Sequence, residues 1–594
     1  MPHLSKGRSR PGTWWRVLAV VAVAALVAAA CGDDDTADEA TNDTTSTEET
    51  TATDDGDAAT TSTTAAAEDE APVVGGSITV VLEAETNSWL PGTGSIANSG
   101  TVVASAFYDL LAVRAADGEV VPYLAESLTP NDDLTEWTVV LPEGVTFHDG
   151  TPLTAENQKR AFDEVLKAEG SNLLGALANV ESVRVDDELT YTYVLSVTDA
   201  SFPDVLTGTS GRPFSMTAYD ADPEGFGDAP VGTGPFIFQS WTRDDRLVVT
   251  RNPDYWRTDD QGNQLPYLDE VVFRPIPDED SRLQTVRAGD AQIGQTLRQS
   301  MIRQTRAAVD AGEIQSHESI GNNGGGSIIN VLQAPVDDVR VRLGLAYALD
   351  QEALIEILGG TDITPAQTQY YSPDSPWFSE AVDAAFPAYD PERAAELIQE
   401  YVDDPDRSDG RAPGEPITVE FNCPPDPSLI ELAQAYQAYW GQAGVDVTLN
   451  QVEQAAHIAN AIGSPDTDPP FAGSYMVNCW RNGSQADPYT VLSQAYGPVA
   501  TAPGNVTNYT SERLDANLVT LRESADFDTR YAANEDIMLE LAEQVPVLWT
   551  GGTATAVFAV PEVRGLTTWS TPDGVLGTGV LGASFSFGQV WWAE

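Results

Sequence analysis

Apolar and polar positions alternate with a period of two in several short runs. They are Gly76–Leu82, Glu136–Leu141, Tyr191–Leu195, Leu247–Thr250 and Glu270–Phe273. Each is rich in β-branched residues and predicts a strand. Between them the apolar spacing lengthens to three and four over Ala155–Glu169, Val339–Leu358, Pro391–Val402, Ser428–Ala443 and from Glu512 onward. Those segments predict amphipathic helices. Asp390 followed by Pro391 is a good start for one of them, an N-cap side chain before a first-turn proline. The interleaving makes the body α/β, without a short repeat.

The stretch 417–479 is the most ordered pattern. Strand Ile417–Asn422, helix Leu429–Ala443, strand Val445–Val452, a second helical piece and strand Gly473–Cys479 form a β-α-β-α-β unit. Such a unit builds parallel strands, and ligands gather beyond their carboxyl ends. Cys423 and Cys479 close the first and third strands, which are neighbours if the strand order is 2-1-3. A Cys423–Cys479 disulfide is expected from this, the alternative being two buried thiols.

The amino-terminal segment changes the picture. Lys6, Arg8, Arg10 and Arg16 precede fourteen uncharged, mostly aliphatic residues, Val17–Ala30. A membrane span needs about 20 such residues. The pattern reads as an export signal, residues 1–30. It ends in small residues before Cys31, which resembles a bacterial lipobox, in which the Cys is lipidated and becomes the new N-terminus. An ordinary secretory signal is the alternative. Residues 31–75 are mostly Asp, Glu, Thr, Ser, Ala and Gly, a composition too poor in apolar side chains to fold. They read as an acidic, disordered tether.

Composition removes several function classes. The 594 residues carry 91 acids and 30 bases, a net charge of −61. Without residues 1–30 the balance is 91 acids against 26 bases, or −65. A polyanionic partner such as nucleic acid is disfavoured. Four His, three Cys and five Met are few for a metal or redox centre, so no metal and no cofactor is expected. No phosphate-loop, zinc-protease or nucleophile-elbow motif occurs. Gly577, Gly579 and Gly582 match a dinucleotide pattern, yet too little chain follows for the βαβ unit it needs. His148, His317 and His457 stand isolated.

Four blocks together resemble the family 5 extracellular solute-binding proteins of peptide and nickel ABC importers. They are VVPYLAESL (120–128) with WTVVLPEGVTFHDGTPLTAE (137–156), GTGPF (232–236) with RNPDYW (251–256), DVRVRLGLAYALD (338–350), and YDPERAAEL (389–397). They follow the family's order. Their Pro, Gly and Asp sit at turn positions, so they mark the fold more than the ligand, and His148 reads as a structural hydrogen-bonder.

The resemblance implies a two-lobed periplasmic-binding fold (type II, cluster C-like). Its larger lobe is discontinuous, 76–328 and 553–594, and the second lobe is 329–552. The chain crosses near Ser327–Leu332 and Val545–Thr553, with the hinge beside Asn322–Gly326. It implies an extracytoplasmic receptor, lipid-anchored at the cell surface or in the periplasm. That receptor would be monomeric, not an enzyme, and would hand a peptide or similar small solute to an ABC permease. Nickel chelates or sugars are rival cargoes, and an exported hydrolase or a sensory surface module is the rival class.

Candidate ligand residues are Asn478, Trp480, Arg481 and Asp487 after the third strand, Glu85 and Trp89 after the first, Asn330 on the first crossing, and Tyr371 beside Tyr370. Trp480 and Asp487-Pro488 match the family segment. The acid that anchors a peptide amine there has no counterpart, since Gly483 or a neighbour takes its place. This argues against anchoring by a free α-amine.

Overall fold

The computed structural model describes residues 71–94, 96, 98–168, 171, 173–425, 427–463, 467, 469–480, 487–498, 504–580 and 585–593. The export signal, Cys31, most of the tether and Arg481 lie outside them.

Ten strands make one large sheet: β1 Ser77–Leu82, β2 Phe236–Thr242, β3 Arg246–Arg251, β4 Glu270–Pro275, β5 Ile293–Thr296, β6 Gln315–Ile329, β7 Ile417–Cys423, β8 Val445–Gln451, β9 Val477–Trp480 and β10 Val547–Ala559. Their spatial order is β8-β7-β9-β6-β10-β5-β1-β4-β3-β2. β7 pairs in parallel with β8 and β9, so the strand order is 2-1-3, the condition under which Cys423 and Cys479 are expected to be neighbours. A separate antiparallel sheet holds Ser127–Pro130, Glu136–Val140, Thr190–Leu195 and Val180–Val185.

The fold is two-lobed, and the apolar side chains divide accordingly. One assembly draws on residues between Ile78 and Ile314 and again on Val557–Val590. Two others draw on residues from Ile328 to Trp549. Only β6 and β10 belong to both halves. They run antiparallel for most of their length, with Gln315–Ile320 against Ala554–Ala559 at one end and Gly326–Ile328 against Val547–Trp549 at the other. The register slips between Ile320 and Gly324 and again between Gly325 and Gly326. The segment Asn322–Gly326, expected beside the hinge, is a bulged stretch inside one 15-residue strand. Backbone crowding explains the glycines. A Cβ on Gly326 would lie 2.0 Å from the Leu548 carbonyl oxygen, and one on Gly324 2.5 Å from that of Gln369.

Local chemistry sets the helix limits. Asp390 caps Pro391–Val402 by accepting from the Arg393 amide at 2.9 Å, and Ala394, Leu397, Ile398 and Tyr401 form its buried stripe. The single helix expected over Val339–Leu358 is two, Val339–Tyr347 and Gln351–Ile357. Asp350 breaks it by accepting from the Ala353 amide at 3.1 Å, an N-cap bond that starts a new helix. The strand expected from Gly473 begins only at Val477. Upstream, the Gly473 carbonyl accepts from the Asn330 side chain and the Ser474 amide donates to Asn460, so neither joins the ladder.

The family-like blocks close around one buried acid. Asp109 accepts from Thr233 Oγ1 at 3.0 Å, Tyr255 Oη at 2.9 Å and Trp256 Nε1 at 3.0 Å. It thereby ties GTGPF to RNPDYW. Burial raises its carboxyl to about 6 against those three bonds. His148 Nε2 donates to the Gly234 carbonyl at 2.9 Å, and its amide donates to Gly232. Burial lowers the His148 ring to about 4.

Candidate functional site

The carboxyl ends of β7, β8 and β9 carry an asparagine ladder. Asn450 Nδ2 donates to Asn422 Oδ1 at 2.9 Å, and Asn422 Nδ2 donates to Asn478 Oδ1 at 3.1 Å. The register makes the ladder. Asn422 is opposite Asn450 on one side and Asn478 on the other, so all three amides share one face. Asn478 is fully buried, and its Nδ2 has no partner among the described residues. A buried donor left unpaired costs about 1–3 kcal/mol, which a ligand acceptor would recover.

One residue further along, Cys423 and Cys479 are joined by a disulfide with their Cα atoms 5.1 Å apart. Trp480 ends β9 opposite Gly326 and is half-buried, its ring 6.3 Å from that of His457. His457 Nε2 donates to the Cys479 carbonyl at 2.9 Å, which holds the strand end in place.

A second group gathers around Tyr371. Its ring packs edge-on against Tyr370, with centroids 5.0 Å apart. The side chain is 1 % exposed and its hydroxyl has no partner among the described residues. Burial drives this hydroxyl far above the ordinary tyrosine range, and Tyr370 and Asp487 push the same way. Asp487 caps the helix Pro488–Tyr496 through the Tyr489 amide at 2.9 Å. Both its carboxylate oxygens accept from Arg530 Nη2, at 2.6 and 2.5 Å.

The other candidates are placed differently. Asn330 is fully buried and its amide is occupied: Nδ2 donates to Gly473, and Oδ1 accepts from the Leu332 amide and Asn508 Nδ2. It fastens the first crossing to the strand beside it. Glu85 accepts from Trp241 Nε1 at 2.9 Å and from the Asp244 amide at 2.7 Å. Trp89 is 2 % exposed and packs 5.3 Å from both Phe107 and Trp241. Glu85, Trp89 and Trp241 line a small cavity of about 20 Å³ that none of the other candidates touches. This pair thus belongs to the wall of the first apolar assembly and not to the Asp487 group.

The sequence reading missed Arg114, Asp204 and Arg530, which stand beside Asp487. Arg114 and Asp204 form an ion pair 90 residues apart in the chain, and Arg530 reaches Asp487 across 43. Neither pairing has a local signature. Among the described residues, no three His, Cys, Asp or Glu are grouped to hold a metal, and no helix is long and apolar enough to cross a membrane.

Known proteins fit this architecture. The model of the bacterial extracellular solute-binding proteins, family 5 (middle), matches residues 119–504. The glutathione-binding protein GsiB of Shigella flexneri is 24% identical over 463 residues, spanning 75% of this chain and 84% of its own. GsiB of Pectobacterium atrosepticum is 25% identical over 443 residues, 71% and 78% of the two chains. Among solved structures, the periplasmic binding protein DppA of Helicobacter pylori, in complex with peptide STSA, superposes with a TM-score of 0.72 at 19% identity. That match covers 88% of this chain and 99% of DppA. The oligopeptide-binding protein AppA of Bacillus subtilis, bound to a nonapeptide, gives 0.70 at 19%, covering 88% and 100%.

Proposed function

We propose, from the premise that the chain belongs to the family 5 bacterial extracellular solute-binding proteins, that it is an importer receptor for peptides or peptide-like solutes. The premise makes it the solute-binding component of an ABC importer. The cargo class is our reading. Relatives named for glutathione and solved structures in complex with peptides support it, as do two buried donors without partners among the described residues. Peptide backbones present carbonyl acceptors, and Asn478 Nδ2 and Tyr371 Oη are buried donors suited to them.

The remaining roles follow from the same reading. Trp480 offers a half-buried aromatic face for stacking, and Arg481 a cation for a ligand carboxylate. Residues 76–328 with 553–594 form the larger lobe and 329–552 the second, turning about the bulged strands. Cys31 carries the lipid anchor, and the acidic segment to residue 75 lifts the body from the membrane. The receptor works as a monomer and releases its solute unaltered.

The carrying observation is the asparagine ladder that ends in a fully buried amide beside Trp480, its nitrogen without a partner among the described residues. Native mass spectrometry of protein purified without denaturation tests the reading. A co-purified mass that chemical analysis identifies as a peptide is the expected result, with a melting temperature raised by re-adding it. A sugar or a metal chelate in its place would overturn the cargo class, and a chemically altered product the receptor role.

A further inference from the structure

Away from the two crossing strands, the apolar assemblies meet through an alternating set of charges. On the side of the first assembly, Arg114 is ion-paired with Asp204, their side chains 17% and 5% exposed. On the other side Arg530 is paired with Asp487, 12% and 14% exposed. Hydrogen bonds cross between them. The Asp487 amide donates to Asp204 Oδ2 at 3.1 Å, and Arg530 Nη2 donates to Ser201 Oγ at 2.9 Å. Two more flank the group. Asn179 Nδ2 donates to the Tyr489 hydroxyl at 3.3 Å, and the Ala200 amide to the Arg522 carbonyl at 2.7 Å.

The layout has a mechanical consequence. Each ion pair is complete within its own side, so separating the sides strands no unpaired charge. At this group four hydrogen bonds break, and water replaces them at small net cost. A contact between two uncompensated charges would instead resist opening strongly.

We propose that this group is a reversible clasp that holds the two lobes shut before any solute arrives. Resting on the two-lobed receptor reading, it adds that a fraction of the empty protein is closed and unable to admit cargo. Apparent affinity is lowered by that fraction. The clasp therefore sets how readily solute enters, while the groups at the strand ends decide which solute stays.

Pulsed EPR distances on the solute-free full chain test this, with spin labels at two exposed positions, Glu156 and Asp528, one on each side. The chain without further substitution should give mainly the short distance. Arg530→Gln should shift the population to longer distances. So should Ser201→Ala combined with Tyr489→Phe, a milder change that deletes one oxygen from each side. Ser201 makes no side-chain cap bond in its own helix, so its loss leaves that helix intact. If Arg530→Gln does not fold, the double variant decides. A long distance in the unsubstituted chain, or an unchanged distance in the folded double variant, would overturn the clasp. No solute enters the measurement, so that failure would leave the receptor reading standing.

Discussion

The Asp109 hub and the end of β9 are both buried and polar, and they differ in what is left over. Around Asp109 the acceptor oxygens are taken by three donors drawn from two sequence blocks. At the end of β9 the ladder stops on an amide nitrogen, and the Tyr371 hydroxyl is buried as well, neither with a partner among the described residues. The first region is satisfied by its own chain. The second retains hydrogen-bonding capacity that the described residues do not use. Satisfied networks rigidify a fold, whereas unsatisfied buried donors are tolerated where a ligand completes them.

The largest expected effect attacks the first region. Asp109→Ala removes an acceptor from two buried donors and one half-buried donor and should cost roughly 3–5 kcal/mol of stability. Calorimetric melting reads this, and solute affinity of the folded fraction should be unchanged. A loss of affinity without a loss of stability would erase the distinction between the regions. Next comes the staple behind the second region. Replacing Cys423 and Cys479 together by Ser opens a link between positions 56 apart and should cost about 2–4 kcal/mol. Denaturant unfolding under non-reducing conditions measures it.

Trp480→Ala should weaken solute binding about tenfold or more while shifting the melting temperature little, because the ring is only half-buried. Titration calorimetry with the co-purified solute gives the answer. Unchanged affinity would remove Trp480 from the site.

The last effect is a pH dependence. His148 titrates at about 4 in the folded chain, and burial is the leading cause. An unfolded histidine titrates at about 6.5. Between those values the unfolded chain binds the extra proton, so this residue makes stability fall as pH drops from 6.5 toward 4. The slope is at most about 1.4 kcal/mol per pH unit. His148→Gln should flatten the unfolding free energy over that window relative to the parent. An identical slope in both would contradict the buried, neutral ring.

Much of the fold is legible in the sequence, because its determinants are local. The β-α-β-α-β unit and the helix after Asp390 follow from spacing and capping residues a few positions apart. Asp350 shows the limit. Its apolar surroundings read as one continuous helix, and only the bond it makes to the Ala353 amide reveals the break. The glycine run before residue 327 reads as a hinge, and its place inside a strand is hidden for a similar reason. Its close neighbours, Leu548 and Gln369, come from distant parts of the chain.

The candidate site was legible only in part. Asn478, Trp480 and Asp487 could be placed because they follow a recognisable strand. Arg530 meets Ser201 across 329 residues and has no pattern to announce it. Glu85 and Trp89 share the strand-end logic, yet Trp241 turns both inward.

Hydrogen exchange with and without the co-purified solute tests the comparison most directly. The account predicts new protection at 367–371, 477–480 and 488–496, with none at 107–109, 147–149 and 232–256. Protection concentrated in the second set, with the first unchanged, would contradict it.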